Sequence, residues 1–315
     1  MDLIGKRLYY FLFSLAVLVA GLVSQLVSPD LRLGIEFSSG AVVNVSFDKP
    51  VTEDDLRNTF IAMGEEDAVV QRTPDGLFFV RIRTSNTLET ERENVLTAVT
   101  NAYGTPKTFE FTAVSPGVAR EAFVAGGIAV ALSIVGIMLY MWWAFRKIPQ
   151  PFRYSVAAIV GLAHNILITL AVSAIIAKFI PMEISSLYLV ALLTILGYSI
   201  NDTIVIFDRM RENILKGVLR DFPSQVNFSL LETFTRSLNT GFSVVLVLLA
   251  LLFLGPDTTR GFIIALTVGI VAGTYSSIFI AAQLLVTWET RSWMGSRAKV
   301  KAAPSSPATP AARPS

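Results

Sequence analysis

Six stretches of the chain are apolar for long enough to cross a hydrocarbon core, which takes roughly 20 helical residues. They run over about 8–27, 122–145, 154–177, 184–207, 238–255 and 261–287. Between the first and the second lies residues 28–121, a segment with a different pattern. Ala41–Phe47 alternates as a strand, and Thr52-Glu53-Asp54-Asp55 reads as a helix start with an acidic first turn. The helix predicted there runs to about Met63, and a strand follows near Ala68–Arg72. Pro74-Asp75-Gly76 supplies turn chemistry before the alternating strand Leu77–Arg83. Asn86 is placed to cap a second helix reaching about Tyr103, and Thr108–Val114 closes the segment as a strand. The order is βαββαβ, the ferredoxin-like pattern.

Lys and Arg in the short connections set the orientation. One side carries Lys6 and Arg7, then Arg146, Lys147 and Arg153, then Arg209, Arg211, Lys216 and Arg220, and finally Arg291, Arg297, Lys299 and Lys301. The short loops of the other side offer only Lys178 and Arg260. Both termini are therefore expected in the cytoplasm and residues 28–121 outside it. Leu8–Val27 follows Lys6 and Arg7 as a signal peptide would, but the run is too long for an ordinary signal core. Val23-Ser24-Gln25 is also a poor cleavage site. The expected organisation is a polytopic α-helical membrane protein with six transmembrane helices and one extracytoplasmic α+β ferredoxin-like domain. Residues 1–27 are its signal-anchor helix, 28–121 the external domain, 122–290 a five-helix transmembrane domain and 291–315 a cytoplasmic tail. From Ala303 the tail is mostly Pro, Ala and Ser, too poor in apolar side chains to order itself.

Composition sharpens this picture in three ways. Apolar residues make up 53% of the chain and charged residues only 16%, where soluble proteins carry roughly a quarter charged. The net charge of +2 conceals a split: residues 28–121 hold 15 acidic and 9 basic side chains, so the membrane part is the basic part. That placement gives no reason to expect nucleic acid as a partner. There is no cysteine and one histidine, His164, which excludes disulfides, thiolate metal sites and multi-histidine metal sites.

Polar residues within spanning helices are costly and tend to face the bundle interior. In the fourth span Tyr198, Ser199, Asn201, Asp202 and Thr203 crowd the cytoplasmic half, with Asp202 roughly 9 Å inward of Asp208. Arg236, where the fifth span begins, has a side chain long enough to reach inward toward it. The pair reads either as static packing or as part of a hydrated path, and Asn201, Asn239, Thr240 and Ser243 favour the path. In the third span Gly161, Asn165, Thr169 and Ser173 recur every four residues beside His164. A helix–helix interface is the better reading of that stripe than direct proton carriage. Gly269, Gly273, Ser277 and Ala281 repeat the device in the sixth span, as do Ala125, Ala129 and Ser133 in the second. The stretch Asp208–Arg236 mixes charge with Met210, Ile214, Leu215, Val218, Leu219 and Phe222, as an amphipathic connecting helix at the membrane surface would. No nucleophile–base pair, glycine-rich phosphate loop or metal cluster occurs, so no cofactor is expected and an enzyme is the least supported class. Work done by such a chain must come from an ion gradient or from a partner.

The run Leu196-Gly197-Tyr198-Ser199-Ile200-Asn201-Asp202-Thr203-Ile204-Val205-Ile206-Phe207-Asp208-Arg209-Met210-Arg211-Glu212-Asn213 resembles the signature of the SecF branch of the SecD/SecF family. These are bacterial protein-export membrane subunits related to the resistance-nodulation-division transporters. Gly34-Ile35-Glu36-Phe37-Ser38-Ser39-Gly40, His164-Asn165 and Arg236-Ser237-Leu238-Asn239-Thr240 support the resemblance, which covers residues 1 to about 290. It implies a subunit of the bacterial cytoplasmic membrane that works with SecD. Together they would use the proton-motive force to pull or release unfolded exported polypeptide after the SecA motor and SecYEG channel have passed it through, with YajC as a further neighbour. It also implies Asp202 as the proton-responsive carboxylate and Arg236 as its charge partner, with Asn201, Asn165 and His164 along the relay. Gly197, Tyr198, Asp208 and Arg209 are the motif residues carried over. Two departures from the family pattern matter. Asn165 stands where the third span usually has Asp, and Glu36, Ser38 and Ser39 depart from the usual external entry motif, where the loss of a glycine implies a less tight turn. The alternative is a proton-coupled small-molecule or lipid exporter subunit of the same superfamily, against which the single small external domain argues. A third reading is a structural scaffold with Asp202 and Arg236 as glue.

Overall fold

A computed structural model describes residues 2–65, 68–72, 76–82, 88–148, 150–180, 182–256 and 259–290. Most of the expected turn at Pro74-Asp75-Gly76, the cap at Asn86 and the tail from 291 lie outside the described residues. Among the described residues six helices are long and apolar enough to cross a membrane: Ile4–Val27, Pro116–Ala144, Pro151–Ile176, Ser186–Lys216, Phe222–Leu254 and Arg260–Thr290. The first is α1 (Arg7–Val27) behind a short 3-10 turn. After it come β1 (Arg32–Leu33), α2 (Ile35–Ser38), β2 (Gly40–Ser46), α3 (Glu53–Ala62), β3 (Val69–Arg72), β4 (Phe78–Ile82), α4 (Leu88–Tyr103) and β5 (Thr108–Val114). Then follow α5 (Pro116–Ala144), α6 (Pro151–Ile176), β6 (Glu183–Ile184), α7 (Ser186–Lys216) and α8 (Phe222–Leu254). The last span is α9 (Arg260–Ser276), a π-helical turn (Ser277–Ala281) and α10 (Ala282–Thr290).

The last span and α6 form the centre of the bundle, and small residues explain why. Gly161 of α6 lies against Ala281, Gly241 of α8 against Thr274, and Gly269 of α9 against Ile195 of α7. With no Cβ, each lets a neighbouring helix approach closely. All of Gly161, Asn165, Thr169 and Ser173 are buried, as are Gly269, Gly273, Ser277 and Ala281. In the second span Ala125 is exposed and Ala129 and Ser133 are half-buried, and α5 meets Leu189 of α7 through Gly126.

The connection after the fourth span also differs from the expectation. No separate surface helix covers Asp208–Arg236. Instead α7 runs on to Lys216, ends on Gly217 at φ 63°, and α8 starts after the Asp221 cap. Of the apolar positions read as a membrane-surface face, Met210 is fully buried, packed with Val226 and Leu230 of α8, while Leu215, Val218 and Leu219 are exposed.

Residues 40–114 build one α/β unit. Its sheet order is β3-β4-β2-β5, every neighbouring pair antiparallel. Alternation puts Ala41, Val43 and Val45 of β2 on the same face as Phe78, Val80 and Ile82 of β4. Leu56 and Phe60 of α3 and Val95 and Val99 of α4 close the core on that face. Thr52 and Asp55 form a reciprocal cap at the start of α3, as the sequence suggested. The Thr52 hydroxyl and N–H hold the Asp55 carboxyl below its ordinary range, so this support is lost only as pH falls through that lowered value.

Two short elements join this unit to the bundle. α2 packs on α5, with Phe37 edge-on to Phe123 at 6.4 Å. β1 pairs in parallel with β6, Arg32 opposite Glu183 and Leu33 opposite Ile184. The turn into β2 is tight despite the lost glycine: Ser39 takes φ 61°, ψ 167° and Gly40 takes φ 124°. That conformation is essentially glycine's, and a side chain held in it costs about 1–3 kcal/mol. Ser39→Gly is therefore expected to raise the thermal midpoint of the purified protein. An unchanged midpoint would show that the turn stores no strain.

Candidate functional site

Asp202 is half-buried where α7 meets α8. The Ser237 hydroxyl donates to its Oδ1 at 2.5 Å, while its Oδ2 is buried without a partner. Arg236 acts on the Asp202 charge through space, but no ion pair within 4.0 Å joins them. The register of α8 explains the difference from a direct carboxylate–guanidinium contact. Thr233, Ser237 and Gly241 recur every four residues and share the buried face. Arg236, Asn239, Thr240 and Ser243 lie on the exposed face. Thr240 and Ser243 satisfy their hydroxyls on their own helix, donating to the carbonyls of Arg236 and Asn239. Asn201 and Gly197 are exposed on α7, and Tyr198 is half-buried.

Behind Asp202, polar side chains line the contact of α6, α7 and the last span. Thr203 and Ser277 share a hydrogen bond of 2.8 Å, and both hydroxyls reach the Ser199 carbonyl. Asn165 and Ser199 flank Gly273, where a Cβ would stand 3.0 Å from Asn165 Nδ2 and 3.2 Å from Ser199 Cβ. Both amide atoms of Asn165, the Ser199 hydroxyl and both ring nitrogens of His164 are buried without protein partners. Although adjacent in sequence, His164 and Asn165 point to different neighbours. His164 lies beside the Tyr275 ring at 6.3 Å, and the Tyr275 hydroxyl donates to the Tyr10 carbonyl of α1. Asn165 points at Gly273 of α9.

The other motif residues do structural work at the end of the bundle opposite the α/β unit. Arg209 clasps Glu232 of α8 through two nitrogens, at 2.7 and 2.5 Å, and also pairs with Glu212. Asn213 donates to Ser229 and to Glu232 at 2.8 Å each. Asp208 is exposed and pairs with Arg211 at 3.1 Å. The Arg209 and Asn213 contacts tie α7 and α8 together about two to three turns beyond Asp202.

Sequence reasoning quoted Ser237 without giving it a role, and passed over Gln283 altogether. Gln283 is fully buried with both amide atoms unpartnered. A lone amide inside an apolar span was signal enough to single it out. The π-turn, a rare element common at functional sites, places Ser277 against Thr203 and left no sequence signal of its own.

Chemically, the arrangement offers one carboxylate in the membrane interior, held by one hydroxyl and influenced by one guanidinium. A carboxylate so placed has the chemistry to exchange a proton.

Residues 94–291 match the family described as protein export membrane protein SecD/SecF, C-terminal. The SecF subunit of the protein translocase of Thermobaculum terrenum is 38% identical over 93% of this chain and 96% of its own length. The SecDF translocase subunit of Bacillus subtilis is 37% identical over 92% of this chain, which spans only 38% of that longer protein. Among solved structures, a crystal structure of a Thermus SecDF, a translocon-associated membrane protein, superposes with a TM-score of 0.77 at 29% identity. It covers 92% of this chain and 39% of its own. The chain belongs to the SecD/SecF family of protein export membrane proteins.

Proposed function

We infer that the chain is an accessory subunit of the Sec protein translocase in a bacterial cytoplasmic membrane. Acting with SecD, it brings the proton-motive force to bear on late translocation and release of exported polypeptides, a transport role and not an enzymatic one. The observation that carries this reading is the end-to-end likeness to SecF, combined with a carboxylate inside the membrane at the α7–α8 contact.

The finer parts of the reading rest on the following. Lys and Arg cluster at the bundle end opposite the α/β unit, which supports cytoplasmic termini and an external unit. The strand order and antiparallel pairing of residues 40–114 support a ferredoxin-like domain there. The five helices from α5 onward support the five-helix transmembrane domain expected over residues 122–290. Arg236, Asn239, Thr240 and Ser243 form an exposed polar strip at membrane depth, beside the exposed Asn201 of α7. Polar side chains at that depth belong against protein or water, and SecD is the partner that covers them in this reading. SecYEG, SecA and YajC are reached through that complex.

Within it, Asp202 is the coupling group. Ionised, it draws Arg236 toward the α7–α8 contact; protonated, it keeps Ser237 and releases Arg236. Asn165, Ser199 and His164 have polar atoms that water satisfies, and they line the approach from α6. In cells depleted of their own SecF-type subunit, the chain expressed with its SecD partner is expected to restore export of a signal-bearing reporter. Failure to do so while both proteins accumulate in the membrane would overturn the reading.

A further inference from the structure

Besides the two spans that flank it in sequence, the α/β unit and the linking strand β1 meet β6, the strand just before the helix that carries Asp202. β6 lies immediately before α7, and Ser185 between them caps that helix by accepting from the Tyr188 N–H at 3.3 Å. The Gly34 N–H donates to the Ile184 carbonyl at 2.9 Å. A Cβ on Gly34 would stand 3.1 Å from the Ser185 backbone, so the approach is close. From β4, on the sheet face away from α3 and α4, Arg81 reaches across to the loop. Its Nη1 lies 3.3 Å from Glu183 Oε1, and its Nη2 donates to Ser38 Oγ at 2.5 Å. Asp202 lies roughly 24 Å further along α7, one uninterrupted helix.

The joint is slight. It holds two residue pairs of β1 and β6, the Gly34–Ile184 and Arg81–Ser38 hydrogen bonds, and one ion pair whose side chains keep 16% and 28% of their exposure. A cleft of about 490 Å³ opens beside it, lined in part by Gln25, Arg32, Ser39 and Arg81. Ion pairs that keep some exposure and isolated two-stranded pairings each contribute modestly. The contact of Phe37 on Phe123 and the Ser39–Gly40 turn lie just beyond the joint and form a natural pivot.

We propose that Arg81 and Glu183 are positioning residues of a latch that docks the α/β unit on the end of α7 and opens and closes in each working cycle. This rests on the coupling role given to Asp202 above: a shift of α7 reaches the unit through Glu183 without passing through α1 or α5.

The groups around Glu183 add a pH dependence. Burial pushes its carboxyl above the ordinary range, against the pull of Arg81 from β4; Glu36 of α2 pushes the same way and Arg32 of β1 opposes. The docked state therefore binds this proton more tightly than an undocked one. Acid favours docking, and docking weakens as pH rises through the raised value.

The chain has no native cysteine, so Leu33→Cys with Ile184→Cys gives a single defined cross-link across the β1–β6 pair. In vesicles carrying the chain with its SecD partner, oxidation is expected to stop gradient-dependent release of exported protein and reduction to restore it. Full-rate release with the cross-link complete would overturn the latch. Arg81→Glu and Glu183→Arg are each expected to lower release at least fivefold, and the two together to recover most of it. A double variant as slow as the single ones, with all three assembled with SecD, would also overturn it. Spin probes on Asn44 and Leu187 are expected to draw together as pH falls, and Glu183→Gln to remove that dependence; a dependence kept in Glu183→Gln counts against the latch. The unmodified chain in the same vesicles separates the two levels of the account. If it shows no gradient-dependent release, the export reading fails and the latch with it; if it does, only the latch is at stake.

Discussion

Asp202→Asn is expected to reduce gradient-dependent release of exported protein to the level seen without the subunit, a loss of at least tenfold, while the chain still folds and binds SecD. Asn has the shape of Asp, and its carbonyl oxygen still accepts the Ser237 hydroxyl. What disappears is the charge that Arg236 answers to and the site that a proton occupies. Removing a charge from the membrane interior does not destabilise the fold, since its desolvation was a cost. The loss is therefore one of coupling, read as a fall in release at unchanged amounts of complex. Release at the native rate would make Asp202 a packing residue and would move the ion path into the partner.

The second large effect is structural. α1 crosses α6 at Gly21, where a Cβ would stand 2.5 Å from the Ala171 Cα and 2.7 Å from its carbonyl oxygen. Main chain cannot rotate out of the way as a side chain does. In Gly21→Val the two helices must separate, and the Ser24 hydrogen bond to the Ala174 carbonyl, 3.2 Å long, goes with the contact. Overpacking of this kind typically costs about 1–3 kcal/mol, and Gly21→Ala should fall between Val and the native residue. The expected result is a lower thermal midpoint for the purified complex and less of it in the membrane. An unchanged midpoint in Gly21→Val would mean that α1 does not pack as closely as described.

Much of this was legible in the sequence because it follows from periodicity and from cost. Six apolar runs cannot be read otherwise, and the strands of the α/β unit announce themselves by alternation. Asp202 stood out because a carboxylate in an apolar run needs a reason. The α6 stripe was readable as an interface, since small residues four apart share one helix face. The missing parts depend on rotation and on long-range partners. Whether Arg236 or Ser237 faces Asp202 is a turn of one residue on α8, and a sequence does not fix that angle. β1 and β6 are two residues each and far apart in the chain, too short for any periodic signal. The run-on of α7 to Lys216 was hidden because charged residues there looked like a surface segment, although Met210 is buried. Ala125, Ala129 and Ser133 have the right spacing, but the contact of α5 with α7 is made through Gly126.

The central claim is that this chain couples a proton gradient to protein export. Its most direct test is reconstitution of the chain with SecD and the translocation channel in vesicles. Release of a translocating protein is then measured with the gradient imposed and with it collapsed by a protonophore. The account predicts release that rises with the gradient and stops when the protonophore is added. Release at one rate in both conditions would contradict it.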